Sequence, residues 1–227
     1  MDRSPAQAPS GALRDRLEHV RARIADACRA ASRSPASVRL VAVSKTHPAE
    51  AVREAYEAGQ RDFGESYAQE LAHKAVALAD LPEIRWHFLG PLQRNKAKLV
   101  APYACSMHAI ESARLAAAVD ALCTRPLDAF VQVNVSGEAS KHGIAPDQLG
   151  AILRELAPLR HVRAVGLMTL PPPDETAART AFETLAALAS AHGLAELSMG
   201  MSDDLEIAIA AGSTYVRIGT AIFGERG

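Results

Sequence analysis

Cysteine is scarce in this chain. Cys28, Cys105 and Cys123 are odd in number and show no C-x-x-C spacing, which excludes a disulfide framework and a zinc ribbon and fits a reducing, cytoplasmic setting. Charge of one sign is also lacking. With 25 Lys plus Arg against 26 Asp plus Glu, no broad electropositive face can form, so no nucleic acid is expected as a partner and any anionic ligand must meet a local site. No apolar run approaches the length of a membrane span, and no membrane association is expected. The first ten residues, MDRSPAQAPS, carry no apolar segment behind their charge and read as a disordered tail rather than a signal peptide. The eight histidines include no H-x-x-x-H or H-E-x-x-H spacing, so no metal is expected. Linear spacing also gives no support for a Ser-His-Asp or Cys-His nucleophile.

What is present is a regular alternation. Leu13, Leu17, Val20, Ile24 and Cys28 recur at helical spacing and predict an amphipathic helix over 13–31, ahead of any strand. The largely apolar run 38–43 predicts a strand buried on both faces. Further strands are predicted at 61–64, 84–88, 104–108, 127–135, 162–168, 196–198 and 215–218. Helices are predicted between them at 48–58, 67–79, 93–100, 112–123, 146–157, 175–191 and 203–211. Eight strands alternating with helices close most naturally into a single (β/α)8 TIM-type barrel over residues 11–227, with the first helix as an extra. An open doubly wound sheet is the alternative, but no Gly-rich dinucleotide fingerprint follows the first strand. Pro171-Pro172-Pro173 reads as a stiff loop.

In a barrel, function lies at the C-terminal strand ends. Lys45 follows the first strand there; a lysine in such a place is paired, shifted in pKa or covalently bound, or simply reaches solvent. Glu65 and Ser66 follow the second strand. The loop Ser198-Met199-Gly200-Met201-Ser202-Asp203-Asp204 and the pair Gly219-Thr220 follow strands seven and eight, where barrels commonly hold phosphate. Ser202 or Asp203 could equally serve as a plain helix cap. Arg217, in an otherwise apolar strand, needs a partner if it faces inward: a ring nitrogen of a cofactor, or a carboxylate such as Glu65. His87 reads as a packed, hydrogen-bonded histidine. Arg94, Lys96 and Lys98, like Lys141, read as solvated positions.

Five stretches resemble a known family: Ala42-Val43-Ser44-Lys45-Thr46, Asp62-Phe63-Gly64-Glu65-Ser66-Tyr67, 86–93 (WHFLGPLQ), 197–204 (LSMGMSDD) and 216–224 (VRIGTAIFG). In the same order these mark the pyridoxal phosphate homeostasis proteins, which are similar to the N-terminal barrel of alanine racemase. The resemblance implies that Lys45 carries pyridoxal 5′-phosphate (PLP) as a Schiff base and that Arg217 faces the pyridine nitrogen. It implies that Ser202, Gly219 and Thr220 help to hold the phosphate, within a cofactor site that also takes in Ser66, Met199 and Gly200. Ser66 departs from the family's usual asparagine. The resemblance further implies a carrier that buffers PLP or delivers it to PLP-dependent apoenzymes, with effects on amino-acid and keto-acid metabolism. A racemase-like enzyme is the alternative; it would need a second acid/base of the kind supplied in alanine racemases by a C-terminal β domain, for which this sequence leaves no room after the eighth strand. A monomer is expected. If Lys45 carried nothing, a site for another phosphorylated metabolite would be the remaining reading.

Overall fold

A computed structural model describes residues 11–138 and 141–225; the expected N-terminal tail lies outside them. The chain opens with α1 (Gly11–Ala30), whose buried stripe is Leu13, Leu17, Val20, Ile24, Ala27 and Cys28. Eight strands follow: β1 (Arg39–Val43), β2 (Asp62–Glu65), β3 (Arg85–Phe88), β4 (Ala104–Ile110), β5 (Leu127–Gln132), β6 (Val162–Met168), β7 (Glu196–Ser198) and β8 (Tyr215–Ile218). They pair in chain order, all parallel, and β1 pairs with β8 to close the barrel. The expected TIM-type barrel is therefore the observed fold.

Helices α2 (Ala49–Glu57), α3 (Ala68–Ala77), α4 (Ala97–Val100), α5 (Ala113–Asp120), α6 (Leu149–Leu156), α7 (Glu175–Ala191) and α8 (Leu205–Ala210) fill the connections. A last turn, α9 (Thr220–Phe223), follows β8 and was not anticipated from sequence. The expected helix over 93–100 begins as a 3-10 turn at Arg94–Lys96. The strand predicted over 127–135 stops at Gln132, because the chain folds back: Val133 bridges to Ile144 and the Asn134 N–H donates to the Ile144 carbonyl at 2.9 Å.

Two layers of packing result. The larger core lies between strands and helices, where the outward residues of the strands, such as Leu40, Phe63, Val216 and Ile218, meet the apolar helix faces. A smaller apolar group, Val41, Ala109, Phe130, Met168 and Tyr215, fills the barrel interior, with Tyr215 edge-on to Phe130 at 5.1 Å. Period-two alternation decides which residues enter. On β8 it turns Tyr215 and Arg217 inward; on β1 it turns Val41 inward, and Val43 and Lys45 share its parity.

Helix α1 packs on α2, α8 and α9, so it is part of the same core. Replacing the fully buried Leu17 by Ala is expected to lower the unfolding free energy by about 2–5 kcal/mol, measured by urea denaturation. A loss well below that range would mean that α1 docks on the barrel without sharing its cooperative unit.

Candidate functional site

At the C-terminal strand ends lies a cavity of ≈ 890 Å³ whose lining includes Lys45, Ser66, Ser202, Arg217, Gly219 and Thr220. Six of the residues singled out from sequence therefore meet in one place, contributed by the loops after β1, β2 and β7, by β8 and by the turn that follows it. Met199 and Gly200 do not line it. Met199 is wholly buried in the core between strands and helices. Gly200 works through its backbone: its carbonyl accepts the Arg217 N–H at 2.9 Å, its φ is +98°, and a Cβ there would lie 2.7 Å from that of Ala208. Its glycine is needed for the turn and for the approach of α8.

Neither Ser202 nor Asp203 caps α8. The N-cap position is Asp204, without a side-chain cap bond; its Oδ1 instead accepts the Met201 N–H at 2.5 Å. Ser202 is tied to α1, because its carbonyl accepts from Arg23 at 3.0 Å, and Arg23 also grips Glu206. Arg23 lines the cavity as well. The N-terminal helix thus supplies a cation to the mouth that hydrophobic periodicity could not reveal, since Arg23 lies off the apolar stripe.

On the other side, the N–H groups of Ile222 and Phe223 both donate to the Gly219 carbonyl at 2.9 Å. The first-turn amides of Thr220 and Ala221 are left without an intrahelical acceptor, at the cavity wall.

Arg217 is 6 % exposed. Burial lowers its guanidinium to about 10, with Asp204 opposing, so it remains charged at neutral pH. It pairs with no carboxylate among the described residues; Glu65, the suggested partner, is engaged by Lys74 at 2.6 Å. One terminal nitrogen of Arg217 donates to Ser198 Oγ at 2.8 Å and the other to the Thr169 carbonyl at 3.1 Å. Behind Ser198 runs a polar column through the barrel. His108 Nδ1 lies 2.7 Å from Ser198 Oγ, its Nε2 is 3.1 Å from His87 Nδ1, and His87 Nε2 is 2.9 Å from Asp62 Oδ1. Asp62 is in turn gripped by Arg85.

Burial opposes protonation of His87, but the Cys105 sulfur and the Asp62 carboxylate outweigh it and push the ring up to about 9. Burial, with His87 and Arg217 adding to it, holds His108 well below the usual histidine range. A charged His87 donates from both nitrogens, which makes His108 neutral with its proton on Nδ1, pointing at Ser198. His87 is therefore the packed histidine expected, but it belongs to the support of Arg217. His108 escaped sequence reading; its one signal was inward parity on its strand. Ser198 and Thr169 stand at strand ends, where sequence directs attention, but nothing local marks them as partners of Arg217: one serves through its hydroxyl and the other through its carbonyl.

Comparison with known proteins places these features in context. The model of the alanine racemase N-terminal domain family matches residues 16–227. The pyridoxal phosphate homeostasis protein of Pseudomonas aeruginosa is 48% identical over 94% of this chain and 96% of its own length; that of Escherichia coli K12 is 43% identical over 92% and 95%. The structure of PipY of Synechococcus elongatus with PLP bound is 37% identical, with a TM-score of 0.80 over 93% of this chain and 100% of that one. Alanine racemase of Corynebacterium glutamicum, at 18% identity and a TM-score of 0.66 over 93% of this chain and 61% of that one, shares the fold.

Two outcomes are expected. At Gly90 an added Cβ would lie 2.2 Å from the Ser66 carbonyl oxygen, a backbone atom that cannot swing aside. Gly90→Ala should cost about 1–3 kcal/mol of stability, read by denaturant unfolding, and displace Ser66 from the cavity. His87, raised when folded, contributes stability that is complete below about 6.5 and fades as pH rises through about 9. The unfolding free energy should fall across that window, and His87→Gln should flatten that slope; an unchanged slope in the variant would contradict a charged His87.

Proposed function

This chain belongs to the pyridoxal phosphate homeostasis proteins, built on the alanine racemase N-terminal domain, and from that premise we propose that it binds PLP reversibly at this cavity and serves PLP homeostasis. The observation that carries the reading is the convergence on one cavity of a lysine, an arginine that pairs with no carboxylate among the described residues, and the opening residues of α9. The donor set fits the group. Lys45 supplies the amine that a pyridoxal aldehyde requires, and Thr220, Ala221 and Ser202 supply donors for a phosphate. Arg217 would meet the ring nitrogen. When bound, PLP supplies a reactive aldehyde and an electron-withdrawing ring.

The chain's own residues favour holding over turnover. An arginine side chain can only donate hydrogen bonds, so a pyridine nitrogen facing Arg217 stays unprotonated and the ring draws electrons weakly. Ser198, Thr169 and the column behind them fix that guanidinium in place. The cavity opens to solvent beside the exposed Tyr67, Leu170 and Met201, which suits exchange. Delivery to PLP-dependent apoenzymes and work in the cytoplasm as a monomer extend the same reading; no helix among the described residues is long and apolar enough to cross a membrane.

Titration of the purified protein with PLP is expected to produce a new near-ultraviolet or visible absorption band that Lys45→Ala abolishes. A band of equal size in the variant would overturn the assignment of Lys45. Incubating the loaded protein with L-alanine should give D-alanine only at background; turnover at the usual enzyme rates of about 1–1000 per second would contradict the carrier role.

A further inference from the structure

Lys45 sits second in a turn, Ser44 to His47, closed by the His47 N–H donating to the Ser44 carbonyl at 3.1 Å. The third residue, Thr46, has φ +68°. A turn with positive φ at that position favours glycine, and a β-branched residue there is strained. The ends of the turn are packed, with Ser44 buried and His47 stacked on Phe223 at 5.2 Å, but Thr46 itself is exposed and walls a second cavity of ≈ 410 Å³ together with Glu70, Lys74 and others, so its backbone needs another hold.

Hydrogen bonds from α3 are what grip the turn. The Thr46 N–H donates to Glu70 Oε2 at 2.9 Å. Lys74 Nζ donates to the Ser44 carbonyl at 2.7 Å, to Glu65 Oε1 at 2.6 Å and to Glu70 Oε2 at 3.2 Å, so all three of its donors are occupied. Ser44 Oγ donates to Glu65 Oε1 at 2.7 Å. Both chain neighbours of Lys45 are thus tied, one to Glu70 and the other to Lys74 and Glu65. Lys74 and Glu65 are almost wholly buried, and a buried ion pair is a poor source of stability compared with apolar side chains of similar volume. Its bonds to Ser44, the residue directly before Lys45, make sense as a means of setting direction.

We propose that Glu70 and Lys74 are positioning residues, which clamp the strained Ser44–His47 turn so that the Lys45 amine is presented to the cavity. The proposal rests on the reading that Lys45 is the amine that takes PLP. It explains why a threonine is tolerated where glycine would be relaxed: the Glu70 carboxylate, itself held by Lys74, fixes the N–H of a residue that would otherwise turn back to negative φ. Lys45 would then leave β1 in another direction.

The test uses the full chain and Glu70→Ala, Glu70→Gln, Thr46→Gly and the double variant Glu70→Ala/Thr46→Gly. The Glu70 side chain is 32 % exposed, so it can be changed without opening the core. Two quantities are read: the PLP concentration needed to half-saturate Lys45, from borohydride trapping, and hydrogen exchange of the Thr46 amide without PLP. Wild type should protect this amide although Thr46 is exposed. Glu70→Ala should lose the protection and raise the half-saturating PLP by about ten-fold, the scale of one strained residue. Glu70→Gln, which keeps an acceptor, should stay close to wild type, as should Thr46→Gly. The double variant should recover most of the loss, because glycine adopts positive φ freely.

An unprotected Thr46 amide in wild type would overturn the clamp, whatever the variants do. So would Glu70→Ala with wild-type PLP binding, or a loss that Thr46→Gly fails to recover. If wild type itself trapped no PLP on Lys45, the functional reading would fall, and the exchange measurement would still decide whether the clamp exists.

Discussion

Pairing of the first strand with the last is the constraint on which the site depends. β1 and β8 run side by side with Val41 opposite Arg217 and Ala42 opposite Ile218, so the turn carrying Lys45 and the turn carrying Gly219 and Thr220 leave the barrel as neighbours. Residues more than 170 positions apart in the chain are joined by four ladder positions. Closure also removes both sheet edges, and it creates the interior that buries Arg217. An open sheet made from the same elements would separate the lysine from the arginine and leave neither with a cavity to face.

Closure imposes a second requirement, because part of the interior it creates is polar. An arginine, two histidines, a serine and an aspartate lie within hydrogen-bonding distance of one another along the barrel, where an unpaired member would be costly. Each is satisfied by the next, and the column ends on Asp62 and Arg85 near the opposite end. Apolar residues pack around it: His108 stacks on Phe130 at 4.3 Å between centroids. The barrel is therefore filled, as TIM barrels are, but half of the filling is a support for one guanidinium. Lys74 plays a comparable part outside the barrel wall. Lys45 and Arg217, two of the basic residues that line the cavity, thus stand on buried hydrogen-bonded groups contributed by other elements.

Much of the fold was legible because its signals are local. Short apolar runs alternating with amphipathic stretches predict eight strands and their helices, and all eight are observed within a few residues. Boundaries failed where tertiary bonds intervened, as at Gln132, where the chain turns back on Ile144, and at Arg94, where a 3-10 turn starts the helix. Lys45, Arg217, Ser202 and Gly219 could be picked out by their place at strand ends, and the resemblance of five motifs gave that placement a chemistry. Met199 and Gly200 were drawn in by their neighbours in the same motif, although one is core and the other serves through its backbone. Arg23, His108, Glu70 and Lys74 escaped notice because their roles come from contacts across long stretches of chain. A lysine on a helix reads as solvated until the structure buries it against a carboxylate.

Under the proposed function, this cavity presents Lys45, among all the lysines of the chain, to an aldehyde bearing a phosphate. Peptide mapping by mass spectrometry after PLP incubation and borohydride reduction tests it most directly. A stoichiometric pyridoxyl adduct is expected on the peptide containing Lys45, with Lys74, Lys96, Lys98 and Lys141 unmodified at low PLP. An adduct spread over Lys96, Lys98 and Lys141, or absent from Lys45, would contradict it.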